Sequence, residues 1–217
     1  MRSPLADAER ERLIAAILPE VPFDGWTFRA LRNAARQAGI APGEAVALFP
    51  RGASDLIAAF SHWADRQMIA RMENERSDTV LVEPGSLSRR VALALRLRFE
   101  VLLPWREAVR RGLSVLALPQ NAPLAARLLY DTVDAVWYAV GDHSTDFSFY
   151  TKRASLAGIY MAAMLYWLDD RSPEFADTRA FVDRRLADLG RIGAVRRRLS
   201  AAADSLPRPF RLLRPYR

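Results

Sequence analysis

His62 and His143 are the only histidines of the 217-residue chain, and it has no cysteine. Thiolate metal sites, iron–sulfur ligation, thiol nucleophiles and disulfides are therefore removed together. A di-iron helical bundle needs Glu three residues before a ligating His, and those positions hold Ala59 and Val140. No Gly-x-Gly-x-x-Gly or P-loop pattern is present to cradle a nucleotide phosphate. Acid pairs do occur, Asp131/Asp134 and Asp169/Asp170, but on helix faces and ends carboxylates are ordinarily solvated or capping. The reactive residue types thus predict a chain with no cofactor, no metal and no catalytic residue, and not an enzyme.

The charge is more telling. From Arg191 to Arg217 there are eight arginines and one acid, Asp204, so the whole formal net charge of +7 lies in this tail and the first 190 residues are neutral. A protein built to lie on duplex DNA would carry its basic groups on the reading domain, since phosphate neutralisation supplies most of the affinity. In the tail, Ile192, Val195, Leu199, Ala202, Ala203 and Leu206 fall on one arc of a helical wheel, with Arg191, Arg197 and Arg198 elsewhere and Phe210 following. An apolar stripe with excess arginine is the composition of a helix lying on an anionic lipid surface. No secretory or organellar targeting pattern is expected in Met1 to Leu13, which carries Asp7, Glu9 and Glu11. The longest charge-free stretch at helical pitch, Ala154 to Leu168, is 15 residues, short of the ~20 that span a bilayer. The reading is a cytoplasmic protein peripherally associated with the inner membrane.

Helices must position all of this. With 51% hydrophobic and 26% charged residues the chain can bury a sizeable core, and apolar residues recur at helical spacing nearly everywhere, so the fold is read as all-α. Alternation is confined to the stub Thr79 to Val82. Pro and Gly punctuation predicts helices over about 8–18, 28–38 with Thr27 as N-cap and Gly39 beyond its end, 42–50, and 54–76 with Ser54 as cap. Further helices are predicted over about 88–103, ending before Pro104 with a continuation to 111, a short one before Pro119, then 124–140, 149–168, 173–189 and 191–205. Three parts result: a three-helix unit over 1–54, a larger bundle over 55–190 and the basic amphipathic tail over 191–217.

The first unit resembles a helix-turn-helix of the TetR regulator fold, carried by Ala34-Ala35 through Gly39-Ile40 and by Leu48-Phe49-Pro50 with Asp55-Leu56. A recognition helix needs donors for base edges and phosphates, whereas Ala41 to Pro50 offers aliphatics and Glu44. Nucleic-acid binding is therefore not expected, and a ligand-responsive DNA-binding regulator of the TetR type is the alternative reading.

One stretch stands out. Val136 to Arg153 joins an aromatic helix end, Trp137-Tyr138, to an aromatic helix start, Phe147-Ser148-Phe149-Tyr150, through an acidic, hydroxyl-rich turn, and closes on Lys152-Arg153. Aromatic side chains crowded at a helix start beside an arginine are the makings of an interface hot spot. Gly141, Asp142, Ser144, Asp146 and Phe147, then Tyr150, Thr151, Lys152 and Arg153, closely resemble the signature of the ubiquinone-biosynthesis accessory lipid-binding family, the ninth Coq protein. The likeness extends over about Trp105 to Leu189, through Leu156, Tyr160 and Asp169 to Ser172-Pro173-Glu174-Phe175 and Asp177-Thr178.

That resemblance implies a TetR-like fold without DNA binding, a bundle pocket holding an isoprenoid quinone intermediate or other lipid, and a C-terminal helix on the membrane through Ile192, Val195, Arg197, Arg198, Leu199, Leu206 and Phe210. It implies support of the di-iron demethoxyubiquinone hydroxylase, docked through Asp142, Ser144, Asp146, Phe147, Phe149, Tyr150 and Arg153. Phe149 stands where mitochondrial members tend to carry Trp. The apolar helix surface of Leu93, Leu97, Val101, Leu129, Val133, Val136, Leu156, Tyr160, Met161, Met164 and Leu165 is consistent with such a pocket, since flexible Met side chains suit an adaptable apolar wall. By analogy with TetR-like folds, which pair through their last helices, a homodimer is expected.

Overall fold

The computed structural model describes residues 4–78, 87–141 and 148–189, and among these every regular element is a helix. The N-terminal unit comprises α1 (Pro4–Ile17), α2 (Val21–Asp24), α3 (Phe28–Gln37) and α4 (Pro42–Leu48). Thr27 caps α3 as predicted, its Oγ1 accepting the Ala30 N–H at 3.2 Å, and Gly39 ends the helix region at φ +68°. Leu13, Ile14 and Ile17 of α1 are buried with Leu31, Ala34 and Ala35 of α3 and with Ala45 of α4, which is the packing that the spacing of the apolar positions demands. The single turn α2, with Pro22 inside its first residues, was not expected, because proline reads as a stop when its position in a first turn is not foreseen.

The bundle is α5 (Ala53–Asp78), α6 (Leu87–Leu102), α7 (Arg106–Leu116), α8 (Ala122–Val140), α9 (Ser148–Asp169) and α10 (residues 176–189). The central helix α5 packs along both α6 and α8. It starts one residue before the predicted cap Ser54: Gly52 at φ +58° turns the chain, with the Phe28 ring 3.1 Å from where its Cβ would stand. Asp55 then closes the end by accepting the Arg51 N–H at 2.8 Å. The helix predicted to stop before Pro104 ends at Leu102, and a 3-10 turn over Leu103–Trp105, where Pro104 removes a backbone donor, leads into its continuation α7. The short helix expected before Pro119 is the end of α7. Gly141, in the left-handed region at φ +73°, caps α8. The stub Thr79 to Val82, His143 and the predicted helix over 191–205 lie outside the described residues.

One contiguous buried cluster runs from Leu13 in α1 to Leu186 in α10, so the N-terminal unit and the bundle share a core. Trp26, just after α2, donates its indole N–H to the Ala108 carbonyl of α7 at 3.0 Å and sits against Phe60 of α5. Arginines close the ends of the bundle helices: Arg90 bonds the Val140 carbonyl at 2.8 Å, and Arg110 the Leu168 carbonyl at 2.8 Å.

Between α9 and α10 the chain turns through Glu174 and Phe175, both at positive φ, a conformation that costs an L residue roughly 1 kcal/mol or more. Asp170 holds this turn. Burial pushes its carboxyl up, but bonds from the side chains and backbone N–H groups of Ser172 and Thr178, at 2.6 to 2.9 Å, outweigh burial and hold it at about 2. Ser172 and Thr178 of the family-like block thus form, with Asp170, a structural latch. A depressed folded-state value stabilises above the unfolded-state value near 4 and loses that contribution as pH falls through the folded value. Asp170→Asn is therefore expected to cost about 2 kcal/mol at pH 7. It should also flatten the loss of stability that the unsubstituted chain shows between about pH 4 and pH 2, as read by urea unfolding across that range.

Candidate functional site

Five wall positions carry one side-chain carbon or none, among them Ala108 and Gly112 of α7 and Ala125 of α8. Beside them the bundle forms a cavity of about 380 Å³ that is open on one side, within the range of pockets that hold small ligands. Its apolar wall is contributed by Ile57 and Phe60 of α5, Leu102 of α6, Leu113 and Leu116 of α7, Leu128 and Leu129 of α8, and Met161, Met164 and Leu165 of α9. Met161 and Leu165 are exposed as well, at 38% and 59%, so they edge the mouth.

One side of the wall is polar. Arg98 of α6, 3% exposed, donates Nε–H to the Tyr160 hydroxyl at 3.0 Å, and Nη2–H to Thr132 Oγ1 at 3.1 Å and Ser61 Oγ at 3.3 Å. Its Nη1 lies 3.2 Å from Asp65 Oδ1, within ion-pair distance. Neither of those two atoms has a hydrogen bond of acceptable geometry among the described residues, so the contact is Coulombic rather than directed. Thr132 in turn donates to Asp65 Oδ2 at 3.3 Å. Arg98, Ser61, Thr132 and Tyr160 border the cavity, while Asp65 is not on its wall. Burial pushes the Asp65 carboxyl up, opposed by Arg98 and by the Thr132 bond. Burial also pushes the Tyr160 phenol up, leaving it an O–H donor. Burial works against the Arg98 cation, but Asp65 and Tyr160 outweigh it and keep the guanidinium charged.

Of the residues predicted to line a pocket, Leu129, Tyr160, Met161, Met164 and Leu165 share this wall. Leu97, Val101, Val133, Val136 and Leu156 are buried in the core and are not among the lining residues. Leu93 borders a separate depression of about 340 Å³ with Arg96, Phe99 and Thr178. The polar residues Ser61, Asp65, Arg98 and Thr132 were missed by the sequence reading.

Of the predicted docking residues, Tyr150 is 72% exposed. Arg153 faces inward: its side chain is only 11% exposed and clasps Asp134 of α8 at 2.6 Å through Nη2. It ties α9 to α8 instead of meeting solvent. Lys152 lies over the Trp137 ring at 5.8 Å. Phe149 sits in the first turn of α9 and its side chain lies outside the described residues, as do Asp142, Ser144, Asp146 and Phe147. The membrane set, Ile192, Val195, Arg197, Arg198, Leu199, Leu206 and Phe210, is outside them too. His62 pairs with Asp131 at 3.1 Å on a partly exposed face. Among the described residues no cluster of three or more His, Cys, Asp or Glu could hold a metal, and no helix is long and apolar enough to cross a membrane. Where a regulator would read DNA, α4 exposes Gly43, Glu44 and Ala47, none of which offers a side-chain donor to a phosphate.

The family model described as COQ9 matches residues 122–193, from α8 through α10 and just beyond. The mitochondrial ubiquinone biosynthesis protein COQ9 of Rattus norvegicus is 35% identical over 202 residues, covering 91% of this chain and 64% of that protein. The Homo sapiens protein of the same name is 33% identical over 202 residues, covering 91% and 62%. The Xenopus laevis protein COQ9-B is 30% identical over 202 residues, covering 91% and 68%. The chain thus spans just under two thirds of the length of the rat and human relatives. Among solved structures, a TetR transcriptional regulator from Nitrosomonas europaea superposes with a TM-score of 0.64 at 20% identity, over 83% of this chain and 97% of that one. This likeness establishes the TetR-like fold.

Proposed function

The chain belongs to the COQ9 family, and from that premise we propose that it is a lipid-binding accessory protein of ubiquinone biosynthesis, without catalytic chemistry of its own. The bundle cavity takes up part of an isoprenoid quinone intermediate, and the start of α9 docks the di-iron demethoxyubiquinone hydroxylase that receives it. The observation carrying this reading is the cavity of about 380 Å³ with an apolar wall and a mouth edged by Met161 and Leu165. At roughly 30 Å³ per water-sized group, it has room for on the order of a dozen such groups. A head and a few prenyl carbons fit, and the remaining chain passes out over the exposed Met161 and Leu165. Each methylene kept from water favours the transfer by about 0.8 kcal/mol, so the part of the lipid held in the pocket avoids the cost of exposure to water. The arginine-rich tail, with its apolar stripe, supports reversible docking on an anionic leaflet.

Native mass spectrometry of the purified protein, with extraction of what accompanies it, is expected to find an isoprenoid or another neutral lipid at close to one per chain. A protein that is lipid-free after expression, and stays so when offered vesicles containing ubiquinone, would remove the proposal.

For the docking surface, Tyr150→Ala is expected to weaken binding of the hydroxylase by about 1–2 kcal/mol, as an exposed aromatic anchor does, while leaving the thermal midpoint unchanged. Arg153→Ala separates packing from docking: because Arg153 holds Asp134, its main expected effect is on stability. Titration of the hydroxylase by surface plasmon resonance, beside thermal unfolding of each variant, checks both statements, and unchanged affinity for Tyr150→Ala counts against this surface.

A further inference from the structure

The polar side of the cavity has more hydrogen-bonding capacity than the fold uses. The Tyr160 hydroxyl accepts from Arg98 at 3.0 Å, and among the described residues its own hydrogen has no acceptor. Arg98 Nη1 is fully buried against Asp65 at 3.2 Å, so Arg98 positions the hydroxyl, and the hydroxyl faces the cavity with a donor to spare. Tyr160 is on the cavity wall, and an unmade bond at a buried donor is costly unless something fills it. A polar wall is unnecessary for a site that takes only hydrocarbon.

We propose that Tyr160, held by Arg98, is a receptor for the oxygen-bearing end of a neutral lipid, with a carbonyl or comparable acceptor oxygen of the ligand taking the free Tyr160 O–H. This rests on the reading of the cavity as a lipid site and adds which end of the lipid enters first. Charge selects the ligand class. Arg98 already faces Asp65 at 3.2 Å, so the pair is neutral as a unit, and an anionic head would bring a second negative charge beside Asp65 in a poorly solvated site. A neutral carbonyl gains the Tyr160 donor without that repulsion. The polar end lies against Tyr160 of α9, and the hydrocarbon leaves over the exposed Met161 and Leu165.

The test compares two probes of equal chain length, a decyl-substituted 1,4-benzoquinone and decylbenzene, against the unsubstituted protein and Tyr160→Phe, which removes one hydroxyl and keeps the ring. The quinone is expected to bind roughly five- to tenfold more weakly to Tyr160→Phe, with decylbenzene unaffected. In the unsubstituted protein the bound quinone carbonyl band should lie below its frequency in hydrocarbon solvent and move back up in the variant. Equal binding of both probes by both proteins, with the carbonyl band at its hydrocarbon position, overturns the receptor and leaves the lipid cavity standing. Failure of either probe to bind the unsubstituted protein overturns both. Should Tyr160→Phe not fold, the carbonyl band in the unsubstituted protein decides alone.

Discussion

Arg98→Met is expected to lower the free energy of unfolding by about 3–5 kcal/mol at pH 7, the usual result of removing one partner from a buried ion pair. Methionine replaces much of the apolar stem, so the loss is mainly electrostatic: Asp65 is left buried without its cation, and Tyr160, Thr132 and Ser61 lose the donor they share. The pH dependence identifies the cause. Burial raises the folded-state value of Asp65, and a raised carboxylate stabilises fully only below its unfolded-state value, losing that contribution as pH rises through the folded one. Removing Arg98 takes away the group that opposes this rise. The deficit of Arg98→Met should therefore shrink on acidification from pH 8 to pH 5, with a slope no steeper than about 1.4 kcal/mol per pH unit for a single proton. Adding Asp65→Asn should restore part of the stability and remove the slope. A small deficit that does not change with pH, in urea unfolding at several pH values, would mean that the pair is solvated.

Periodicity located most of the bundle because each helix buries a regular stripe, and local capping chemistry located its ends where one residue decides, as at Thr27, Gly39 and Gly141. It misplaced the start of α5 because the turn there depends on a contact distant in sequence, Gly52 against the Phe28 ring. The cavity was half legible for a related reason. An apolar stripe shows that a side chain points inward, but whether it meets another side chain or a gap depends on the bulk of what it faces. Leu129, Met161 and Leu165 border space because Ala108, Gly112 and Ala125 border the same space; Val133, Val136 and Leu156 are equally apolar and meet a filled core. The polar wall did leave a signal. Arg98 follows Val91, Ala94 and Leu95 on the buried stripe of α6, Asp65 lies between Ala64 and Met68 on that of α5, and Thr132 falls one turn after Leu128 on α8. Three polar residues on the inward stripes of three helices must satisfy one another or a ligand, and reading the stripes for their exceptions would have found them. Arg153 shows the converse: a sequence motif groups residues that share a family, not residues that share a surface.

Filling the cavity should abolish lipid binding without unfolding the protein. Ala125→Trp and Leu129→Trp each place an indole into the 380 Å³ from α8, one turn apart. Neither displaces backbone, because Ala125 and Leu129 are only partly buried and already face open space. Occupied space replaces vacant space, so the thermal midpoint is expected to hold or to rise by a few degrees, as cavity-filling substitutions do. The ligand, in contrast, loses its burial. Excluding even three methylenes at about 0.8 kcal/mol each corresponds to a roughly fiftyfold weaker complex. Co-purified lipid should therefore fall below detection in native mass spectra of both variants. Val136→Ile, a change of similar sense in the filled core of α8, separates cavity from core: with no vacancy to enter it should cost about 1–3 kcal/mol by overpacking and leave lipid content untouched. If the two tryptophan variants keep their lipid at the normal ratio, the ligand resides elsewhere on the molecule, and the apolar gap between α7, α8 and α9 is a packing defect.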